Sequence, residues 1–483
     1  RARRAEREAR VNLRRVARSA IQSARARRSG VDHHGYPWPP GPAGVPVLGH
    51  YRPMLTHRLR FLTEAFMAHG DVVRFHFLGM PATLLAHPDH VEQVLQKNHR
   101  LYTKQTRGYG RLREFLGNGL VTSEGEFWLK QRRIAQPAFH KKRVDGFAGA
   151  MVRAADEMVT RLERVADGGE AIDVAHEMME ITLRIAGETL LSTDPSDRAQ
   201  AVGKALDVVL HEANRRINAP MVIPESVPTR RNRQYRAASK ALDDIVLGII
   251  EQRRRGTERR DDLLQMLLEA EDEETGERMD DRQLRDEVMT MFLAGHETTA
   301  NMLTWTLYLL SLAPEHARRV RDEAIEVLGD RPATAADCKA LQYTKQVLQE
   351  SMRLRPPVWV VGRSPSEDDV VGGYRIPKGS LVFLSQWITH RHPSFWEDPE
   401  GFDPERFAPA RVKAMHRSQY FPFSAGPRMC IGAGFAMMEG QLLLATMLRR
   451  LRFDLAPGHP VEMEPLITLR PKHGMKMTVH RVS

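Results

Sequence analysis

Residues 289–313 form the most apolar long stretch of the chain, long enough to span a bilayer, yet His296, Glu297 and Asn301 sit near its middle. A protein built round such a segment buries it as a central helix and has a functional or pairing reason for the polar groups inside it. Nearly all of 127–355 reads as helix, with apolar positions at i, i+3 and i+4. Short strands are expected at 72–77 and 82–86, separated by Gly79-Met80-Pro81. Beyond Arg355 the pattern changes to strand and turn at 370–380 and 381–384, proline-punctuated coil at 393–409, and helix again at 434–450. Breaks at Gly168-Gly169, Asp194-Pro195, 220–228 and 271–281 are short enough to be loops within one domain. The expectation is a mainly α fold with small β-sheets: a single domain over 37–483, preceded by an Arg-rich tail or helix over 1–36. Pro37-Trp38-Pro39-Pro40-Gly41-Pro42 should be an extended connector where the folded body begins.

The chain's basicity belongs mostly to that tail. Residues 1–30 hold eleven Arg and two Glu, a net +9 out of +11 for all 483 residues. There Leu13, Val16, Ala17, Ala20, Ile21 and Ala24 fall at helical spacing among the arginines, which suits a solvated helix or one lying on an anionic surface. The tail lacks the apolar core of a signal peptide, and no aromatic interleaving or nucleic-acid motif accompanies the charge. Two cysteines, Cys338 and Cys430, exclude a disulfide framework and a four-cysteine zinc site and fit a reducing, cytoplasmic compartment.

Cys430 lies in the most informative segment, Phe421-Pro422-Phe423-Ser424-Ala425-Gly426-Pro427-Arg428-Met429-Cys430-Ile431-Gly432. The flanking Gly426 and Gly432 lack a Cβ and would let backbone approach a flat ligand. The strongly helix-forming run 435–448 follows at once, and free amides at a helix N-terminus favour thiolate over thiol. Phe423 is placed to shield the sulfur, and Arg428 to pair with a ligand carboxylate. Phe423, Gly426, Arg428, Cys430 and Gly432 together match F-x-x-G-x-R-x-C-x-G and so resemble the haem-binding signature of the cytochrome P450 family. Ala436 and Glu439 extend the likeness.

Further motifs occur in the family's order. Glu350 and Arg353 resemble its E-x-x-R, and Arg406, in Pro404-Glu405-Arg406-Phe407, its partner arginine. The resemblance implies a buried network locking the cysteine loop, a structural task. Trp128 and Arg132, at i, i+4, resemble its W-x-x-x-R, which holds a haem propionate, and Arg363 resembles a further propionate arginine. Ala294-Gly295-His296-Glu297-Thr298-Thr299 resembles the oxygen-binding signature, which implies that Ala294 and Gly295 lie over the cofactor while Glu297 and Thr298 relay protons during O2 activation.

What the resemblance implies is a haem b enzyme with Cys430 as axial ligand, the haem lying between the central helix and the cysteine loop, and insertion of one oxygen atom from O2 into a hydrophobic substrate. Val121, Met291, Ala294, Trp359 and Ile467 would line an apolar substrate pocket, suited to a fatty acid, terpenoid or polyketide. Electrons would come from a separate acidic ferredoxin or flavodoxin-like donor with its reductase, docking near Lys130, Arg133, Lys141, Lys142 and Arg143. The chain is expected to be a monomer that binds no nucleic acid, with any membrane contact peripheral and through the tail. Competing readings are a haem-thiolate isomerase or peroxide-driven enzyme, disfavoured by the intact Glu297-Thr298 pair, and a non-catalytic haem sensor anchored by its basic tail.

Overall fold

The structure, a computed structural model, describes residues 35–482 apart from 46–47, 78, 193–198, 257–258, 261 and 273. Residues 1–34, which hold nearly all of the Arg-rich tail, lie outside the described residues. Among the described residues no helix is long and apolar enough to cross a membrane. The chain divides into two compact units, one formed by 1–108, 360–399 and 416–429, the other by 109–359, 400–415 and 430–483.

The first unit is built on a five-stranded sheet. Its order runs Val72–Phe77, Met80–Leu85, Leu381–Leu384, Val361–Pro365 and Tyr102–Thr103, with the Met80–Leu85 and Leu381–Leu384 pair parallel and the others antiparallel. The second strand begins two residues earlier than the sequence suggests and takes in Pro81. Pro81 faces only His76, because pairing with Leu381–Leu384 starts at Ala82, so the missing proline N–H removes no ladder bond on that side. The proline connector is extended and lies on the outer strand: the Arg74 amide donates to the Pro40 carbonyl at 2.8 Å, and the Arg74 guanidinium stands over the Trp38 ring. Asp369–Val371 and Tyr374–Ile376 form a hairpin whose turn, Gly372-Gly373, takes positive φ at both residues.

The second unit is helical, with two small sheets from residues 171–173, 451–455, 463–465, 469–471 and 476–481. Its centre is the helix Asp281–Leu312. That helix starts eight residues before the apolar run because Asp280 and Gln283 form a capping box that satisfies its first amides. It packs on Val174–Leu191, Gln342–Leu354 and Ala433–Arg450. Trp305, fully buried on it, donates its indole N–H to the Leu469 carbonyl at 2.9 Å.

The expected clamp is assembled within this unit. Arg353 grips Glu350 with two parallel bonds of 2.7 and 2.8 Å, both side chains being fully buried, and Arg406 stands 3.4 Å from the same carboxylate. The pair also holds backbone: Arg353 donates to the Gly401 carbonyl at 2.8 Å, and Glu350 accepts the Asp403 amide at 2.9 Å. Arg353→Met would strand a buried carboxylate, and the expected loss is about 3–5 kcal/mol in denaturant unfolding of the holoprotein. An unchanged midpoint would contradict the clamp. Gly426→Ala should also destabilise, by about 1–3 kcal/mol from backbone strain at positive φ alone. There φ is +69° and a Cβ would stand 1.9 Å from the Leu95 carbonyl oxygen, so a melting temperature equal to wild type would refute this reading of Gly426.

Candidate active site

Cys430 stands three residues ahead of the first residue of the helix Ala433–Arg450, whose N-cap is Gly432, and is exposed at the helix's positive end. The other cysteine differs: burial pushes the Cys338 thiol up to about 11, which leaves it a protonated, unreactive group. Gly432 sits beside the Phe139 ring and the Cys430 sulfur at ordinary contact distance, so a Cβ there would touch both without clash. Gly426, in the first unit, packs so closely on the Leu95 backbone that this contact alone requires a glycine. Phe423 and Arg428 are half-buried in that unit. Arg363 is buried there on the strand Val361–Pro365, donating to the Gly362 carbonyl at 2.9 Å.

Trp128 and Arg132 share the helix Gly125–Ala135, and Trp128 packs against the main apolar cluster. Burial pulls the Arg132 guanidinium down while the charge of Cys430 pushes it up, which puts this cation within electrostatic reach of the thiolate. The nearby cations expected to meet a donor are partly occupied. Lys130 pairs with Glu277, Arg133 with Asp272 and Glu274 at 3.0 Å each, and Lys141 with Asp145 at 2.7 Å.

Midway along the central helix the buried pattern breaks. Ala294 is exposed, Gly295 and Thr298 are half-buried, and a Cβ added at Gly295 would meet open space, whereas Met291 to Leu293 and Thr299 to Leu303 are buried. Thr298 donates its hydroxyl to the Ala294 carbonyl at 2.6 Å, a bond that bends a helix locally. An open stretch of helix carrying only small and hydroxyl side chains, and in the same unit an exposed cysteine with an arginine beside it, fit a flat iron macrocycle with a thiolate ligand.

Glu297 is buried as expected, but its partners were not legible in the sequence. Its Oε1 accepts Arg470 Nε at 2.7 Å and the Thr468 hydroxyl, and Arg470 reaches Asp207 of the helix Ala199–Asn218 at 3.2 Å. Arg470 lies in the short strand Leu469–Pro471 and Thr468 just before it, a stretch that carries no motif, so only the cost of burying Glu297 signals that a cation must exist somewhere. Glu439, on the helix that follows Cys430, is fully buried; burial pushes its carboxyl well above the usual range, with the Thr299 hydroxyl of the central helix acting against it.

Of the expected pocket residues, Met291 belongs to the main apolar cluster, and Val121 and Ile467 pack against it. Trp359 is buried and donates its indole N–H to the Leu466 carbonyl at 3.0 Å, anchoring the turn that carries Ile467.

The model of the family described as cytochrome P450 matches residues 39–478. The chain is 36% identical to cyclooctat-9-en-7-ol 5-monooxygenase of Streptomyces melanosporofaciens, over 87% of this chain and 91% of that one. It is 35% identical to pentalenene oxygenase of Streptomyces avermitilis, over 89% and 94% respectively. Among solved structures it resembles the heme domain of cytochrome P450DA with a TM-score of 0.85, 27% identity, and coverage of 92% of this chain and 98% of that one. With its fold, its cysteine at a helix N-terminus and its opened central helix, the chain belongs to the cytochrome P450 family and is a cytochrome P450 monooxygenase.

Proposed function

We propose that the protein hydroxylates or epoxidises a terpenoid, with haem b held by Cys430 as axial thiolate. The observation that carries the substrate class is the likeness, over nearly the whole of both chains, to two proteins named for oxidising cyclooctat-9-en-7-ol and pentalenene. The apolar character of Val121, Met291, Ala294 and Ile467 supports it, since such a lining binds a hydrocarbon skeleton and offers few groups to a polar one. Haem supplies the redox chemistry, activating O2 so that one oxygen atom enters the substrate.

The chain's own residues position and feed that chemistry. Arg132 and Trp128, with Arg428 and Arg363 by their place in the family motifs, neutralise the haem carboxylates. Thr298, beside the open stretch at Gly295, holds a proton at Oγ1 and passes it toward the oxygen reactant. Glu297, whose Oε1 is held by Arg470 and Thr468, would take up a proton from solvent and return it to Thr298, ending each cycle as the paired carboxylate. Electrons come from an acidic ferredoxin or flavodoxin-type donor. The exposed Lys142 and Arg143, close in sequence to the Trp128 helix, favour such a partner.

Titrating the oxidised holoprotein with cyclooctat-9-en-7-ol and with pentalenene should move the Soret band from the low-spin to the high-spin position for at least one of them. A response to fatty acids alone would overturn the terpenoid assignment. Thr298→Ala should keep substrate binding within about twofold but lower product formed per NAD(P)H consumed by at least about tenfold, because the proton donor is lost while the pocket remains. Undiminished coupling would contradict the relay and favour isomerase or peroxide-driven chemistry.

A further inference from the structure

The segment Gly117-Asn118-Gly119-Leu120-Val121 lies flat on the N-terminal half of the central helix and is bonded to it through side chains. Asp286 accepts the Asn118 amide at 2.7 Å and Glu287 accepts the Leu120 amide at 3.0 Å. The approach is close enough to require the two glycines. A Cβ at Gly117, where φ is +71°, would fall 2.0 Å from the Asp286 carboxylate, and one at Gly119 would fall 2.3 Å from Thr290 Oγ1. The segment is also closed on itself: the Thr122 hydroxyl donates to the Gly117 carbonyl at 2.7 Å, and the Thr122 and Ser123 amides donate to the Gly119 carbonyl.

The two carboxylates differ in circumstance. Asp286 is balanced by Arg285, 2.9 Å away, which also pairs with Asp243 and donates to the Phe115 carbonyl. Among the described residues no cation pairs with Glu287: it is 1% exposed, one of its oxygens holds the Leu120 amide, and Oε1 is buried without a hydrogen-bond partner. A group so placed needs a reason. The residue it holds is next to Val121, which packs on the apolar cluster containing Met291.

We propose that Glu287 is a specificity-determining positioning residue: by holding the Leu120 amide against the central helix, it sets where the Val121 side chain stands against the substrate. This rests on the placement of Val121 in the substrate pocket. Burial, aided by the nearby charge of Asp286, pushes the Glu287 carboxyl up to about 8 against the pull of the Leu120 amide, so near neutrality it is largely an uncharged acid. A neutral carbonyl oxygen is then what holds the amide, and glutamine offers the same atom.

The test uses the full haem-loaded chain, with 4-phenylimidazole as probe: its nitrogen binds the iron and its ring must share the pocket with residue 121. Glu287→Leu should raise hydrogen exchange at 117–121 and change the probe's Kd, read from the Soret band, by at least about fivefold, the equivalent of one lost backbone hydrogen bond. Glu287→Gln should restore both to within about twofold of wild type, and all variants should keep the Soret position of the reduced CO complex. Should Glu287→Leu not fold, Glu287→Asp, which keeps the acid but withdraws the acceptor by one methylene, must show the same two changes. Wild-type exchange in the Leu or Asp variant, or a Gln variant as impaired as Leu, overturns the proposal at the loop. Val121→Ala with an unaltered Kd overturns it at the pocket, and that result is separable because it leaves exchange at 117–121 untouched.

Discussion

A thiolate survives inside a protein only where amides and cations hold its charge, and Cys430 is placed by that constraint. Three residues after it the chain enters a helix whose first amides lack intrahelical partners, and Arg132 of the Trp128 helix lies within electrostatic reach. The helix that begins there is itself anchored, its buried face packing on the central helix and on Gln342–Leu354, the helix that carries the Glu350 and Arg353 clamp. Cys338, half-buried and with its thiol pushed up to about 11, shows what a cysteine in the same unit becomes without such an arrangement.

Among the buried carboxyls round the central helix, Glu297, Glu287 and Glu439 are accommodated in three different ways. Glu297 is ion-paired to Arg470 and is the chain neighbour of Thr298, its partner in the proposed relay. Glu287 spends one oxygen on a backbone amide and fixes a loop. Glu439 lies across from Thr299, and the desolvation that raises its affinity for a proton is opposed by no cation. A paired charge, a backbone acceptor and a carboxyl that burial drives toward its proton place different demands on their neighbours, so the helix tolerates all three inside an apolar unit.

The sequence made some of this legible and concealed the rest for physical reasons. The helical second unit, the strand Val72–Phe77 and the helix starting at Ala433 follow from apolar periodicity and glycine or proline punctuation, which are local. Glu350 with Arg353, and Trp128 with Arg132, could be paired from spacing because both members of each pair share one helix. Arg470 could not be matched to Glu297, nor Glu287 to Leu120, because those partners lie 173 and 167 residues apart and meet only through tertiary packing. The contact of Gly426 with the Leu95 carbonyl and the bond from the Trp359 indole to the Leu466 carbonyl are likewise tertiary and carry no local signal.

The central claim is that the sulfur of Cys430 is the axial ligand of a haem iron. Its most direct measurement is the absorption spectrum of the reduced protein under CO, for wild type and for Cys430→His. Thiolate ligation predicts the strongly red-shifted Soret band in the wild type and its replacement by the shorter-wavelength band of imidazole ligation in the variant. A wild-type protein that binds haem without the red-shifted band, or a variant that keeps it, would contradict the account.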